Sequence, residues 1–156
     1  MRTIGNVAER VIDPPETAQV GPAYGLRSWG WPVSVIGTSL VLETTSGFCG
    51  VEMPQVLGDA VLRRLRSAGV EGPVVRVPRP DPWLVFLAEA DGVVENNEVF
   101  ARSRARLVQG ANSIPLPPTV TSMGRTSWAI APDVSHRWLP ELSTVVWAIT
   151  SVSSMR

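Results

Sequence analysis

Between Pro54 and Gly69 the chain carries its clearest helical period, and this segment anchors the reading of everything around it. Leu57, Val61, Leu62, Leu65 and Ala68 fall on one side at helical spacing, while Arg63 and Arg66 project from the other. Gly69 is a natural stop. Elsewhere the apolar residues come in short runs punctuated by glycine and proline, which is the pattern of strands. Residues 31–36, 40–43 and 47–53 read as a hairpin or meander, with Gly37-Thr38-Ser39 as its first turn. Residues 73–77 and 84–88 read as two further strands. They are joined by Pro78-Arg79-Pro80-Asp81-Pro82, which cannot be helical because proline removes an amide donor and restricts the residue before it.

The spacing predicts another strand over 102–108, an extended segment over 114–118 and a short strand over 128–130. Two more helices are expected, one over 14–29, opened by Pro14-Pro15-Glu16-Thr17 and closed at Gly30, and one over 139–151. Strands interleaved with a few helices predict an α+β fold, with a mixed or antiparallel sheet and two to four helices. A chain of 156 residues is the size of one domain, placed here over 14–152 behind a flexible N-terminal arm over 1–13.

No apolar run approaches the roughly 20 residues that cross a bilayer, and the first residues mix Arg2, Glu9, Arg10 and Asp13 among apolar positions. Neither a membrane span nor a signal peptide is expected. Cys49 is the single cysteine, so no internal disulfide can form, and a lone thiol suits a reducing compartment. The expected location is the cytoplasm.

Formal net charge is zero, so nucleic acid cannot be held by bulk electrostatics, only by a local patch. All 14 basic residues are arginine, which leaves no lysine for a P-loop or a Schiff base. A serine triad needs a base, and the only histidine is His136, among Ser135, Arg137 and Trp138, with no Gly-x-Ser-x-Gly elbow anywhere. One cysteine and one histidine cannot supply a zinc site, and Cys49 within an apolar strand reads as a buried, inert thiol. No catalytic residue, metal or cofactor is expected.

The carboxylates, among them Glu43, Asp59, Glu71, Asp81, Glu89, Asp91, Glu95 and Glu98, are scattered. Glu52 stands out because it sits in the apolar run Gly50-Val51-Glu52-Met53, where an acid is costly unless it faces water or meets a partner. Two arginine groups are candidates for binding nucleic acid. Arg63 and Arg66 share a helix face, and Arg102, Arg104 and Arg106 alternate with Ala101, Ser103 and Ala105. On a strand, the second group predicts three guanidiniums on one outward sheet face, either a phosphate-reading stripe or an ordinary solvated face. The six tryptophans do not alternate with arginines as a stacking platform for bases does, and they read mostly as core.

Four stretches, in order along most of the chain, carry a family resemblance. They are Tyr24 to Val33 with Trp29-Gly30-Trp31-Pro32-Val33; Gly47-Phe48-Cys49-Gly50-Val51-Glu52-Met53-Pro54 with the leucine-rich helix behind it; Gly72-Pro73-Val74-Val75 followed by Trp83-Leu84-Val85-Phe86; and Pro115-Leu116-Pro117-Pro118, Gly124, Trp128, Pro132 and Leu139-Pro140. Together they resemble the N-terminal domain of bifunctional DNA primase/polymerase proteins, in the divergent form found in actinobacteria. The resemblance implies a trimmed archaeo-eukaryotic primase core, with metal-binding carboxylates and a histidine that contacts nucleotide phosphate. This chain departs from that pattern at each chemical position. Only Glu52 of the expected acid pair is present, because Pro54 follows Met53, and Pro80-Asp81-Pro82-Trp83 stands where a Gly-Gly-x-His would lie. The arginine-rich stretch Arg102 to Arg106 replaces a further acid.

The resemblance therefore implies a catalytically degenerate domain connected with DNA replication. It is expected to bind nucleic acid or nucleotide, or to serve as a regulatory interaction module. Its expected partners are DNA or a nucleotide, or a protein, a second copy of the chain included. An active primase/polymerase with an atypical site and a purely structural interaction domain remain the alternatives.

Overall fold

The computed structural model describes residues 25–45, 47–92, 98–133 and 138–154. The predicted arm over 1–13, most of the helix predicted over 14–29, and His136 lie outside the described residues. What is described of that first helix is a helical turn at 25–28, closed at Gly30 with φ of 86°.

The predicted strands form in three antiparallel sheets. The hairpin of β1 (Val33–Ile36) and β2 (Ser39–Glu43) pairs through β2 with β7 (Ser113–Leu116). A central five-stranded sheet has the order β10 (Ser127–Ile130), β4 (Val74–Val77), β5 (Trp83–Glu89), β3 (Phe48–Pro54), β6 (Arg106–Val108). A small ribbon joins β8 (Val120–Thr121) to β9 (Gly124–Arg125). Of the hairpin or meander expected over the first three strands, the hairpin of β1 and β2 forms, and β3 leaves for the centre of the larger sheet. Its pattern explains the move: Cys49, Val51 and Met53 are wholly buried and Gly50 is buried on the opposite face, so both sides of β3 need cover.

Helix α1 (Gln55–Ser67) lies across one face of the central sheet beside the C-terminal helix α3 (Leu142–Ser154). Leu57, Val61 and Leu65 point inward as the spacing predicts. The helix ends in a Schellman motif: the Val70 amide donates to the Leu65 carbonyl at 2.9 Å and the Gly69 amide to the Arg66 carbonyl at 3.0 Å. Gly69 has φ of 76°, a conformation that costs other residues most. At the start of α3 the Asp91 carboxylate accepts from the Ser143 amide at 3.1 Å and from the Ser143 hydroxyl.

On the opposite face, Val75, Val85 and Leu87 of the central sheet pack against Val33, Leu40, Leu42, Ile114 and Leu116 of the three-stranded sheet. Gly50 permits this close approach, since a Cβ there would lie 2.6 Å from Ile114 Cδ1. The result is a three-layer α+β domain: helices, a central sheet, and a small second sheet. The loop after β7 is tied to that small sheet by buried Thr119, whose hydroxyl accepts from the Leu40 amide at 2.7 Å and donates to the Leu40 carbonyl at 2.9 Å.

One predicted strand is corrected. Residues 102–108 are not one strand, because the segment opens as the short helix α2 (Glu98–Arg102), and only Arg106–Val108 pairs with β3. Buried Val99 and half-buried Phe100 anchor α2 to the helical layer. Ser103 then ends it, with its hydroxyl donating to the Val99 carbonyl at 2.7 Å and accepting from the Ala105 amide at 3.1 Å. Among the described residues no helix is long and apolar enough to cross a membrane.

Candidate functional site

Alternation along β3 decides where its one acid points. Cys49, Val51 and Met53 face the helices, so Gly50 and Glu52 face the other way. In the register of the central sheet Glu52 stands opposite Val85 on one side and Arg106 on the other. Partners directly across an antiparallel pair share a face, and Arg106 Nη2 reaches Glu52 Oε1 at 3.3 Å. Arg79 comes from the proline-broken loop two residues beyond β4, and its Nη2 lies 3.5 Å from Glu52 Oε2. The Glu52 side chain is only 16% exposed. Of the two ways to accommodate an acid in this strand, the molecule uses partners rather than open water.

Trp83, the first residue of β5, is the centre of the group. The guanidinium carbons of Arg79, Arg106 and Arg104 lie 4.5, 4.8 and 5.9 Å from its ring centroid. Three guanidiniums thus gather on one indole, and among the described residues Glu52 is the acid that pairs with two of them, in a chain whose formal net charge is zero. Beside this group, between the central sheet and β7 of the three-stranded sheet, lies a cleft of about 420 Å³. Glu52, Arg79 and Arg106 supply its polar wall, and Val77, Val85 and Ile114 its apolar wall. A second cleft of about 410 Å³ lies between the start of α1 and the ends of α2 and α3, with Arg102 and Arg104 on its rim.

The predicted arginine stripe is therefore broken up. Arg102, at the end of α2, pairs with Glu98 on its own helix at 3.0 Å. Arg104 lies in the turn and Arg106 on the strand, and both come round Trp83. Ala105 is buried as expected of a small inward residue, yet Ala101 is exposed on the helix. Arg63 and Arg66 are exposed on α1 and line neither cleft, and Arg66 lies 3.7 Å from Glu71. Arg79 and Trp83 were not among the residues that the sequence singled out for binding. The proline loop and the strand that hold them were legible, but their convergence on Glu52 depends on long-range register.

The chemistry available is ion pairing and stacking. Glu52 faces guanidiniums, which disfavour a cation beside it, and among the described residues no three His, Cys, Asp or Glu side chains form a metal-binding group. Cys49 is fully buried, and burial, reinforced by Asp91, pushes its thiol from 9.0 up to about 11. On α3, half-exposed Trp147 carries Arg64 over its ring at 4.3 Å, a contact that the helical period alone does not reveal. Compared with protein-family models, with curated proteins and with solved structures, the chain matches none.

Proposed function

We propose that this chain is a non-catalytic nucleic-acid-binding module, a degenerate relative of the primase/polymerase N-terminal domain, whose cleft beside Trp83 takes phosphates of a single strand. The observation that carries this reading is the convergence of Arg79, Arg104 and Arg106 on one indole, with Glu52 paired to two of them. Guanidinium forks match phosphate oxygens, and a guanidinium plane held on an indole offers a stacking surface to a base. A sequence-tolerant single-strand site uses these two elements. The apolar wall of Val77, Val85 and Ile114 suits the flat, weakly polar body of a base or sugar. A lone buried thiol suits the cytoplasm, where such a module would work.

The same geometry argues against nucleotidyl transfer. Two-metal phosphoryl transfer needs several carboxylates converging on the ions, whereas Glu52 converges with arginines. The test has two arms. Mobility shift of an oligothymidylate should be seen in low salt and lost in moderate salt, and an Arg79, Arg104, Arg106 triple change to alanine should abolish it. No shift in low salt would sink the binding reading and leave interaction with a protein as the function to pursue. Template-dependent extension with magnesium or manganese, abolished by Glu52→Ala, would instead restore the chain to the active polymerases.

A further inference from the structure

Glu52 is more than a residue that the arginines neutralise. Its two carboxylate oxygens are divided between two guanidiniums from different elements, Arg79 of the loop after β4 and Arg106 of β6. Each contact is single and long, at 3.5 and 3.3 Å, against about 2.7–2.9 Å for a well-formed charge-assisted bond. Neither guanidinium presents its paired donors to Glu52, so each fork is only partly used. The third guanidinium, Arg104, makes no ion pair among the described residues and approaches the same indole. The carboxylate thus occupies the place of an anion without satisfying the groups around it.

Building on the nucleic-acid reading above, we propose that Glu52 is a built-in counter-ion, which holds Arg79 and Arg106 in place in the free protein and which an incoming phosphate must displace or outcompete. The strand fixes the backbone of Glu52, and its mostly buried side chain has little room to withdraw. An anion entering the cleft therefore meets the carboxylate's repulsion along with the guanidiniums' attraction. A phosphate offers several acceptor oxygens to forks that the carboxylate engages through one nitrogen each. Glu52 lowers affinity and raises selectivity: monovalent anions that add nothing beyond its own charge gain no advantage, while a strand that brings successive phosphates does.

The test is fluorescence anisotropy with a labelled oligothymidylate across a salt series, on the folded chain and on Glu52→Gln. Glutamine keeps the shape and one acceptor oxygen, so one of the two guanidiniums stays held while the charge is gone. Binding about five- to tenfold tighter is expected. The slope of log affinity against log salt should also steepen by about 0.7, one more net charge released from the strand. Should Glu52→Gln fold poorly by circular dichroism, Glu52→Ser, smaller and also uncharged, carries the same expectation. Equal or weaker binding by a folded uncharged variant, with wild-type binding still sensitive to Arg106→Ala, overturns the counter-ion and leaves the binding site intact. Failure of both wild type and variant to bind removes the binding site and this inference with it.

Discussion

Arg104→Ala is the most discriminating single change at the candidate site, because Arg104 can be removed without orphaning an acid. Arg79 and Arg106 each hold one oxygen of Glu52, whose side chain is only 16% exposed, so deleting either leaves a poorly solvated carboxylate half-paired. That costs about 1–3 kcal/mol in stability and mixes folding with binding. Arg104 is exposed, and its contact with Trp83, at 5.9 Å to the centroid, is near the limit for a cation–π interaction. Its loss should cost no more than about 0.5 kcal/mol, or roughly 2 °C in Tm for a domain of this size.

The effect on binding should be separable from that. Each phosphate neutralised on a single strand contributes about 0.7 to the slope of log affinity against log salt. Arg104→Ala should therefore flatten the slope by about 0.7, and the triple change with Arg79 and Arg106 by about 2. Over a fourfold rise in salt, the single change narrows the loss of affinity by about threefold, well within the reach of anisotropy titrations. Arg63→Ala serves as the control, since Arg63 lines neither cleft. An unchanged slope for Arg104→Ala, or an equal change for Arg63→Ala, refutes the placement of phosphate beside Trp83.

Three further outcomes follow from the packing. Gly50→Ala puts a Cβ 2.6 Å from Ile114 Cδ1 and 3.0 Å from Val85 Cγ1, and should destabilise the domain by about 1–3 kcal/mol in urea melts; an unchanged midpoint would mean the two sheets part at no cost. Thr119→Val keeps the side-chain shape but strands the amide and carbonyl of Leu40, at about 1–3 kcal/mol for each group left unpaired, again read from the urea midpoint. Cys49, raised from 9.0 to about 11, should resist thiol reagents in the native state at neutral pH. Because the folded pKa is the higher one, the thiol adds no pH dependence below about 9; above it the unfolded chain ionises first, and stability falls until pH reaches about 11. Cys49→Ala should remove that alkaline slope.

Much of the fold was legible because it is local. The period of α1, its glycine stop, and the short apolar runs of β1 to β5 each follow from residues within a few positions of one another. The failures come where a local pattern serves two structures. Arginines alternating with small residues over 102–106 suit a strand, but the same residues also suit the end of a short helix, a serine-closed turn and one strand residue. What decides between them is the anchoring of Val99 and Phe100 beneath the helical layer, a tertiary fact. The place of β3 is tertiary too. It lies next to the hairpin in sequence, yet its two buried faces send it to the middle of the other sheet.

The site itself depends on how a neutral chain divides its charges. Glu52 was legible as an acid in an apolar strand, but its partners lie 27 and 54 residues away and meet it only through the order β4, β5, β3, β6. The same folding step sorts the arginines by what remains near them. Arg66 is offset by Glu71 at 3.7 Å and Arg102 by Glu98 at 3.0 Å, each from an acid close by in sequence. Local acids of this kind leave an ordinary solvated surface, and exposed pairs contribute little to stability. Among the described residues Arg79, Arg104 and Arg106 have only Glu52 as an ion-pair partner among the three, so these guanidiniums gather round one indole rather than along a stripe. A zero net charge is thus compatible with a local anion site: charge balances over the whole chain while three guanidiniums gather on one indole.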